Sequence, residues 1–158
     1  YSSAASDVYK RQILDFTTNL AILHRQFQRA MNQLLEADKM PVNITEFYLL
    51  VLISETRQLN QRRAAWTMAV DEGLMARMVH HLVELELIQK ETDPRDRRNR
   101  RLQLTPSGQE LVQQAITVLH DWWQQATPNQ SDFDYAVITA QLQRLSSRVL
   151  QKQQANNH

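Results

Sequence analysis

The chain has 158 residues, 42% of them hydrophobic, and a formal net charge of +1. That is enough for one domain with a real core, while the overall charge does not announce a nucleic-acid binder, so any such surface has to be local. Cysteine is absent, which excludes disulfides, thiolate metal sites and a cysteine-based peroxide sensor, and glycine at only two positions, 73 and 108, removes most nucleotide-binding loops.

The opening YSSAASDVYKRQ is small, polar and without an initiator Met, and residues 1 to 12 are expected to be a disordered arm or a cloning remnant. From there Ile13, Phe16, Leu20, Leu23, Phe27, Met31 and Leu34 keep a helical period, predicting one long amphipathic helix over 13–37. Residues 38 to 44 form a connector, because Pro41 disfavours helix for the residue before it. TEFYLLVLISET, 45 to 56, is so apolar that it reads as a buried helix. NQRRAAWTMA, 60 to 69, is a short helix with Ala64, Ala65 and Met68 inward and Arg62 and Arg63 outward.

Asp71 is placed to cap the next helix, whose Leu74, Met78, Val79, Leu82 and Leu85 form an apolar face opposite Arg77, His80, His81 and Glu84. The short link 69–71 joins these two helices as a helix-turn-helix requires, and such a motif presents its second helix to the major groove. Leu87 to Thr92 and Arg100 to Leu104 are strand candidates about a Pro-containing polar tip. Between 90 and 101 lie Lys90, Arg95, Arg97, Arg98, Arg100 and Arg101 against Glu91, Asp93 and Asp96, which makes a local cationic prong. Thr105-Pro106 opens a further helix to about residue 126, and Ser131 with Asp134 resembles a capping box for a last helix through Tyr135, Ile138, Leu142, Leu145, Val149 and Leu150. The tail 151–158 is expected to fray.

The run LVELELIQKETDPRDRRNRRLQLTPSGQELV, residues 82 to 112, resembles the wing of the MarR family of bacterial transcriptional regulators, with its DPxDRR turn, a strand and then LTxxG. The likeness extends more loosely over 13–152. The expected fold is therefore mainly α: a winged helix-turn-helix with a two-stranded β-wing over 45–104, flanked by dimerisation helices at 13–37 and 105–152. The resemblance implies a homodimer that binds a near-palindromic double-stranded operator as a repressor, released by a small, often aromatic or phenolic, ligand held between the dimer helices and the winged region.

On this alignment Glu72, Gly73, Met75, Ala76 and Arg77 lie at the end of the second helix that reaches base edges, and Arg62, Arg63, Arg95, Arg97, Arg98 and Arg100 supply phosphate and groove contacts. The resemblance further implies that Asp96 orients an arginine while Arg97 or Arg98 enters the minor groove, where negative potential attracts it. Glu72 and Gly73 depart from the small hydroxyl residues usual in the family at this helix start, and Glu86 stands where Gly is usual. These departures motivate the alternatives, a winged protein-interaction module without specific DNA binding or a ligand-responsive activator.

Neither enzyme chemistry nor a cofactor is indicated, since no phosphate loop, nucleophile elbow or metal-protease helix occurs. His80 and His81 point about 100° apart on a helix and cannot chelate one metal together. His24, Tyr48, Trp66 and His120 are candidates for an inducer pocket, but each has a good explanation as core or surface, and Trp66 and the Trp122/Trp123 pair read as packing anchors rather than a ligand cage. No apolar run approaches the ~20 residues of a membrane span, and no charged-then-apolar signal segment opens the chain; the expected location is cytoplasmic, with no membrane partner.

Overall fold

The computed structural model describes residues 3–156, in the order α1 (Ser3–Ala37), α2 (Ile44–Glu55), α3 (Gln61–Met68), α4 (Glu72–Glu84), β1 (Ile88–Thr92), β2 (Arg100–Leu104), α5 (Pro106–Ala126), a 3-10 turn (Gln130–Asp132) and α6 (Tyr135–Asn156). The two strands pair antiparallel, with Ile88 opposite Leu104 and Thr92 opposite Arg100. This is the mainly helical winged helix-turn-helix expected from the order of elements and the resemblance of the wing. Two compact units divide the chain, the first running to Leu119 and the second starting at His120.

In the first unit α1 buries only its C-terminal stripe, Phe27, Met31 and Leu35, at intervals of four. Leu34, expected inside, lies at the surface, and Leu35 takes its place on the stripe. Residues 3–12, expected to be a disordered leader, continue the helix; nothing in them breaks it, and Arg11 pairs with Asp15 one turn on at 3.0 Å. Residues 1 and 2 lie outside the described residues, as do 157 and 158 of the tail, whose residues 151–156 are helical and not frayed.

Asn43 and Glu46 form a capping box at the start of α2, and Asn32 of α1 accepts from the Ile44 amide at 2.7 Å, which ties the two helices together. Phe47, Leu49, Leu50 and Ile53 of α2 join Leu59, Met75, Val79 and Leu82 in the core of this unit. Burial of that many large side chains, at about 1.5–3 kcal/mol each, is what holds the short helices in place. Tyr48, on the same helix, is partly exposed, at 37%.

Helix α4 ends in a Schellman arrangement, the Leu87 amide donating to Leu82 and the Glu86 amide to Val83, each at 3.0 Å. It requires a left-handed residue at Glu86, whose φ is 57°. A side chain in that conformation costs roughly 1–2 kcal/mol, so Glu86→Gly is expected to raise stability by about 0.5–1 kcal/mol after the entropic cost of glycine. Urea unfolding of the two proteins checks this; an unchanged midpoint would show that the Glu86 side chain stabilises the native state by some other contact.

Thr105 then locks the root of the wing to α5. Its amide donates to Leu87 O at 3.0 Å, its hydroxyl to Glu86 O at 2.6 Å, and the same oxygen accepts from the Gly108 amide at 3.0 Å. The LTPSG sequence is thus a cap and a clasp in one.

The second unit, from His120, is described by itself. Trp122 and Trp123 pack edge-on at 4.8 Å, Trp123 meets Tyr135 at 6.2 Å, and the Tyr135 hydroxyl is hydrogen-bonded to Thr127. Asp134, and not the expected Ser131, caps α6, its Oδ1 accepting from the Val137 amide at 3.1 Å. Ser131 falls inside the 3-10 turn, so the helix starts three residues later than a Ser131 cap would place it. Helix α6 has no buried residue, and Tyr135, Ile138, Leu142, Leu145 and Val149 are exposed along it.

Candidate nucleic-acid interface

Asn60 caps α3, accepting from the Arg63 amide at 2.8 Å, and Ala69 ends it in a left-handed turn. Asp71 then caps α4 through Leu74 at 2.7 Å. These paired caps fix a short turn between the helices and leave the first turn of α4 open. Arg62, Arg63, Glu72, Gly73, Ala76 and Arg77 are all exposed.

Met75 is the exception. It is fully buried and belongs to the core with Met78, Val79 and Leu82, so it reads no base edge. Its place on the stripe was legible, since it lies four residues before Val79 and seven before Leu82. A side chain added at Gly73 would press on the cap, 3.1 Å from Asp71 Oδ1, and would touch the Arg77 guanidinium, which lies over the first turn, at an ordinary contact distance of 3.6 Å. Glu72 reaches Arg62 Nε at 3.9 Å. Both side chains are more than three-quarters exposed, and such a pair is worth little and exchanges readily for another anion.

The tip of the wing is two successive turns, each started by an aspartate. Asp93 accepts from the Arg95 amide at 2.9 Å and Asp96 from the Arg98 amide at 3.0 Å, while Asp96 N donates to Asp93 O and Asn99 N to Asp96 O. DPRDRRN is therefore a tip braced by its own hydrogen bonds, on which Arg95, Arg97 and Arg98 are exposed. Asp96, expected to orient an arginine side chain, instead bonds the backbone of Arg98, because an aspartate at the first position of such a turn is captured by the amide two residues on. The aspartate that holds an arginine side chain is Asp93, paired with Arg101 Nη2 at 3.0 Å and largely buried.

The Arg95 amide and the Arg101 guanidinium hold the Asp93 carboxyl below the usual aspartate range, against burial, which pushes it up. A depressed native pKa means that the unfolded chain takes up the proton first as pH falls. The stabilisation is therefore complete above about pH 4 and is lost progressively as pH falls below it. Asp93→Asn is expected to be less stable than the parent at pH 7, with the gap closing in the acid range. Denaturant midpoints of both proteins at pH 7, 4 and 3 check the sign; a gap independent of pH would mean that the ionised carboxylate is not what holds the wing.

Between α3 and the wing runs a groove of about 340 Å³ that brings together Arg62, Lys90, Arg98 and Arg100, with Asp96 as the one acidic residue lining it. Asn60 and Asn99 meet there, Asn60 Nδ2 donating to Asn99 Oδ1 at 3.1 Å. The backbone reinforces the link: Leu102 N donates to Leu59 O at 2.8 Å, and Asn60 bridges to Arg101. Sequence reasoning named Arg62, Arg98 and Arg100 as contacts and counted Lys90 in the cationic prong, but missed Asn60 and Asn99 as parts of this groove and the pairing of Asp93 with Arg101 beside it. Asp93 was findable as the first residue of a turn; the contact of Asn60 with Asn99 spans 39 positions and left no local signal.

Elsewhere, His81 pairs with the buried Glu46, and His80 with Glu84 at 3.1 Å on the exposed face of α4. Trp66, expected as a packing anchor, is 46% exposed. Burial pushes the Tyr48 phenol above its usual range. Among the described residues no group of three or more His, Cys, Asp or Glu could hold a metal ion, and no helix is long and apolar enough to cross a membrane.

Residues 42–99 match the MarR family. The HTH-type transcriptional regulator BilQ of Clostridium symbiosum (strain WAL-14163) is 28% identical over 87 residues, which are 55% of this chain and 60% of that relative. The chain thus aligns with less than two thirds of that protein. Among solved structures, a MarR-family transcriptional regulator from Rhodococcus sp. RHA1 superposes with a TM-score of 0.73 at 24% identity, covering 92% of this chain and 98% of its own. CouR from Rhodococcus jostii RHA1, solved with p-coumaroyl-CoA bound, superposes with a TM-score of 0.69 at 25% identity, over 84% and 90% of the two chains. The match to the MarR family thus falls on residues 42–99, which hold the helix-turn-helix and most of the wing, and over most of its length the chain has the fold of the winged helix-turn-helix regulators on which it superposes.

Proposed function

We propose that this chain is a sequence-specific regulator of transcription that binds double-stranded DNA as a homodimer and represses from a near-palindromic operator. The observation that carries the reading is the groove in which α3 and the wing bring four cationic side chains together, beside an open α4 start bearing Arg77. Arginine and lysine so placed suit phosphates and a narrow minor groove, and the first turn of α4 suits base edges. Arg62, Arg63, Arg95, Arg97, Arg98 and Arg100 would hold the backbone or minor groove; Glu72, Gly73, Ala76 and Arg77 would face the bases. Asp96 serves by shaping the tip.

Dimerisation is supported by apolar side chains that a lone chain leaves in water: Ile13, Phe16, Leu20 and Leu23 on α1, and Ile138, Leu142, Leu145 and Val149 on α6. A two-fold dimer sets its two recognition helices about 34–36 Å apart, one turn of DNA. Release by a small organic ligand fits the p-coumaroyl-CoA held by CouR, and would act by favouring a helix spacing that mismatches the operator.

The test is selection of bound duplexes from a random pool, then fluorescence anisotropy of the winner against scrambled DNA at two salt concentrations. A near-palindromic winner bound at least ~10³-fold more tightly than scrambled DNA is the expected result. Absence of any enriched sequence would overturn specific repression by this protein alone and favour the protein-interaction reading.

A further inference from the structure

The geometry points to the groove between α3 and the wing as a seat for one DNA backbone phosphate, its width set by the Asn60–Asn99 bridge and its charge completed by Lys90. This rests on the DNA-binding reading and adds to it a particular ligand group, a particular place and three residues that carry no base-reading role. Arg62 enters from α3, Arg98 and Arg100 from the wing, and Lys90 from β1, against the single carboxylate of Asp96, which is already engaged with the Arg98 amide. Like charges gathered from three elements repel one another, so an arrangement of this kind is relieved when a phosphodiester enters. The groove, at about 340 Å³, admits such a group but not a duplex edge.

What holds its two walls is not charge. Asn60 uses both ends of one amide, Oδ1 to cap α3 and Nδ2 to bind Asn99 at the end of the wing tip. A serine at position 60 would still cap the helix but could not span to Asn99. The side chain thus couples the angle of the first helix to the position of the wing arginines, and acts on DNA only through them: Asn60 and Asn99 are positioning residues. Glu72, at 3.9 Å from Arg62, is the protein's own anion at the rim of this arrangement, and the phosphate would take its place on Arg62.

The experiment uses the full chain and the selected operator, with each backbone phosphate of one half-site replaced in turn by a neutral methylphosphonate. In the parent protein one position at the junction of the α3 and wing footprints is expected to lose about tenfold in affinity on neutralisation, the size of a single charge-assisted contact. Lys90→Ala is expected to weaken binding to natural DNA by about 3- to 10-fold, to abolish most of the penalty at that one position, and to lower the salt slope by about 0.9 per half-site. Asn99→Ala and Asn60→Ser remove the bridge without adding charge. Both are expected to shrink the penalty at the same position and leave those at α4-facing phosphates unchanged, a pattern that general loss of stability would not produce.

A penalty profile identical in the parent and Lys90→Ala overturns the seat while leaving DNA binding standing. A profile altered by Lys90→Ala but not by either asparagine variant overturns the bridge as the device that sets its width. If inorganic phosphate, in the absence of DNA, protects the parent but not Lys90→Ala against thermal unfolding at millimolar concentration, while the methylphosphonate profiles coincide, the groove serves a small anion and the backbone assignment is wrong. No binding of any duplex overturns both this inference and the regulatory reading.

Discussion

Gly108→Ala is expected to destabilise the protein by about 3 kcal/mol or more, the upper end of what overpacking costs. A Cβ on residue 108 would lie 2.0 Å from the carbonyl oxygen of Leu87 and 3.0 Å from its carbon. Neither is a side chain that can swing aside. Both belong to the backbone at the root of the wing, and the Leu87 oxygen also receives the Thr105 amide. The substitution therefore forces either the start of α5 or the base of β1 outward and breaks the clasp that Thr105 makes with Glu86 and Gly108. For a chain of this size the loss corresponds to a fall in melting temperature of roughly 6–12 °C. Calorimetry of both proteins at one fixed concentration checks it. A variant that melts within a degree or two of the parent would mean that α5 can slide along the wing without penalty.

Two arginines are expected to fail in different ways. Arg98→Ala, at the wing tip, is expected to weaken binding to all duplexes alike by about 1–3 kcal/mol per contact and to flatten the salt dependence. Arg77→Ala, on the open first turns of α4, is expected to cost a similar amount on the selected operator but far less on scrambled DNA, so that specificity falls. The structural reason is that Arg98 follows a turn locked by Asp96 and lines the cationic groove beside Arg62, whereas Arg77 lies over Gly73, where the α4 backbone itself can approach DNA closely. Anisotropy titrations of both variants on both duplexes at two salt concentrations separate them. Equal losses of specificity would assign a base-reading role to the wing; equal uniform losses would remove one from Arg77.

The basic character of the surface was open to reading because it is written locally. DPRDRRN is a contiguous run, and aspartates at its first and fourth positions each capture the amide two residues on, so the tip could be placed without knowledge of the rest. Asp71 before α4 and Thr105 before Pro106 were legible for the same reason, since a cap acts within three residues. Met75 shows where local reading went astray: its position near the helix start suggested DNA, yet its spacing from Val79 and Leu82 placed it in the core. Periodicity outweighs proximity to a terminus when the two conflict, because burying a methionine recovers more free energy than exposing it to a groove.

Sequence alone determined the helical class, the order of helix, turn, helix and wing, and the clustering of arginine at one end, because periodicity, capping and turn chemistry act over a few residues. Only the tertiary structure decided that Asp93 and not Asp96 grips an arginine side chain, that Glu86 adopts the left-handed conformation a glycine would prefer, and that Asn60 meets Asn99. Those outcomes depend on how the wing folds back against α3 and α5, through the bonds of Leu59 to Leu102 and of Thr105 to Leu87. Contacts across tens of residues are set by the packing of the whole core, and no short stretch of sequence contains them.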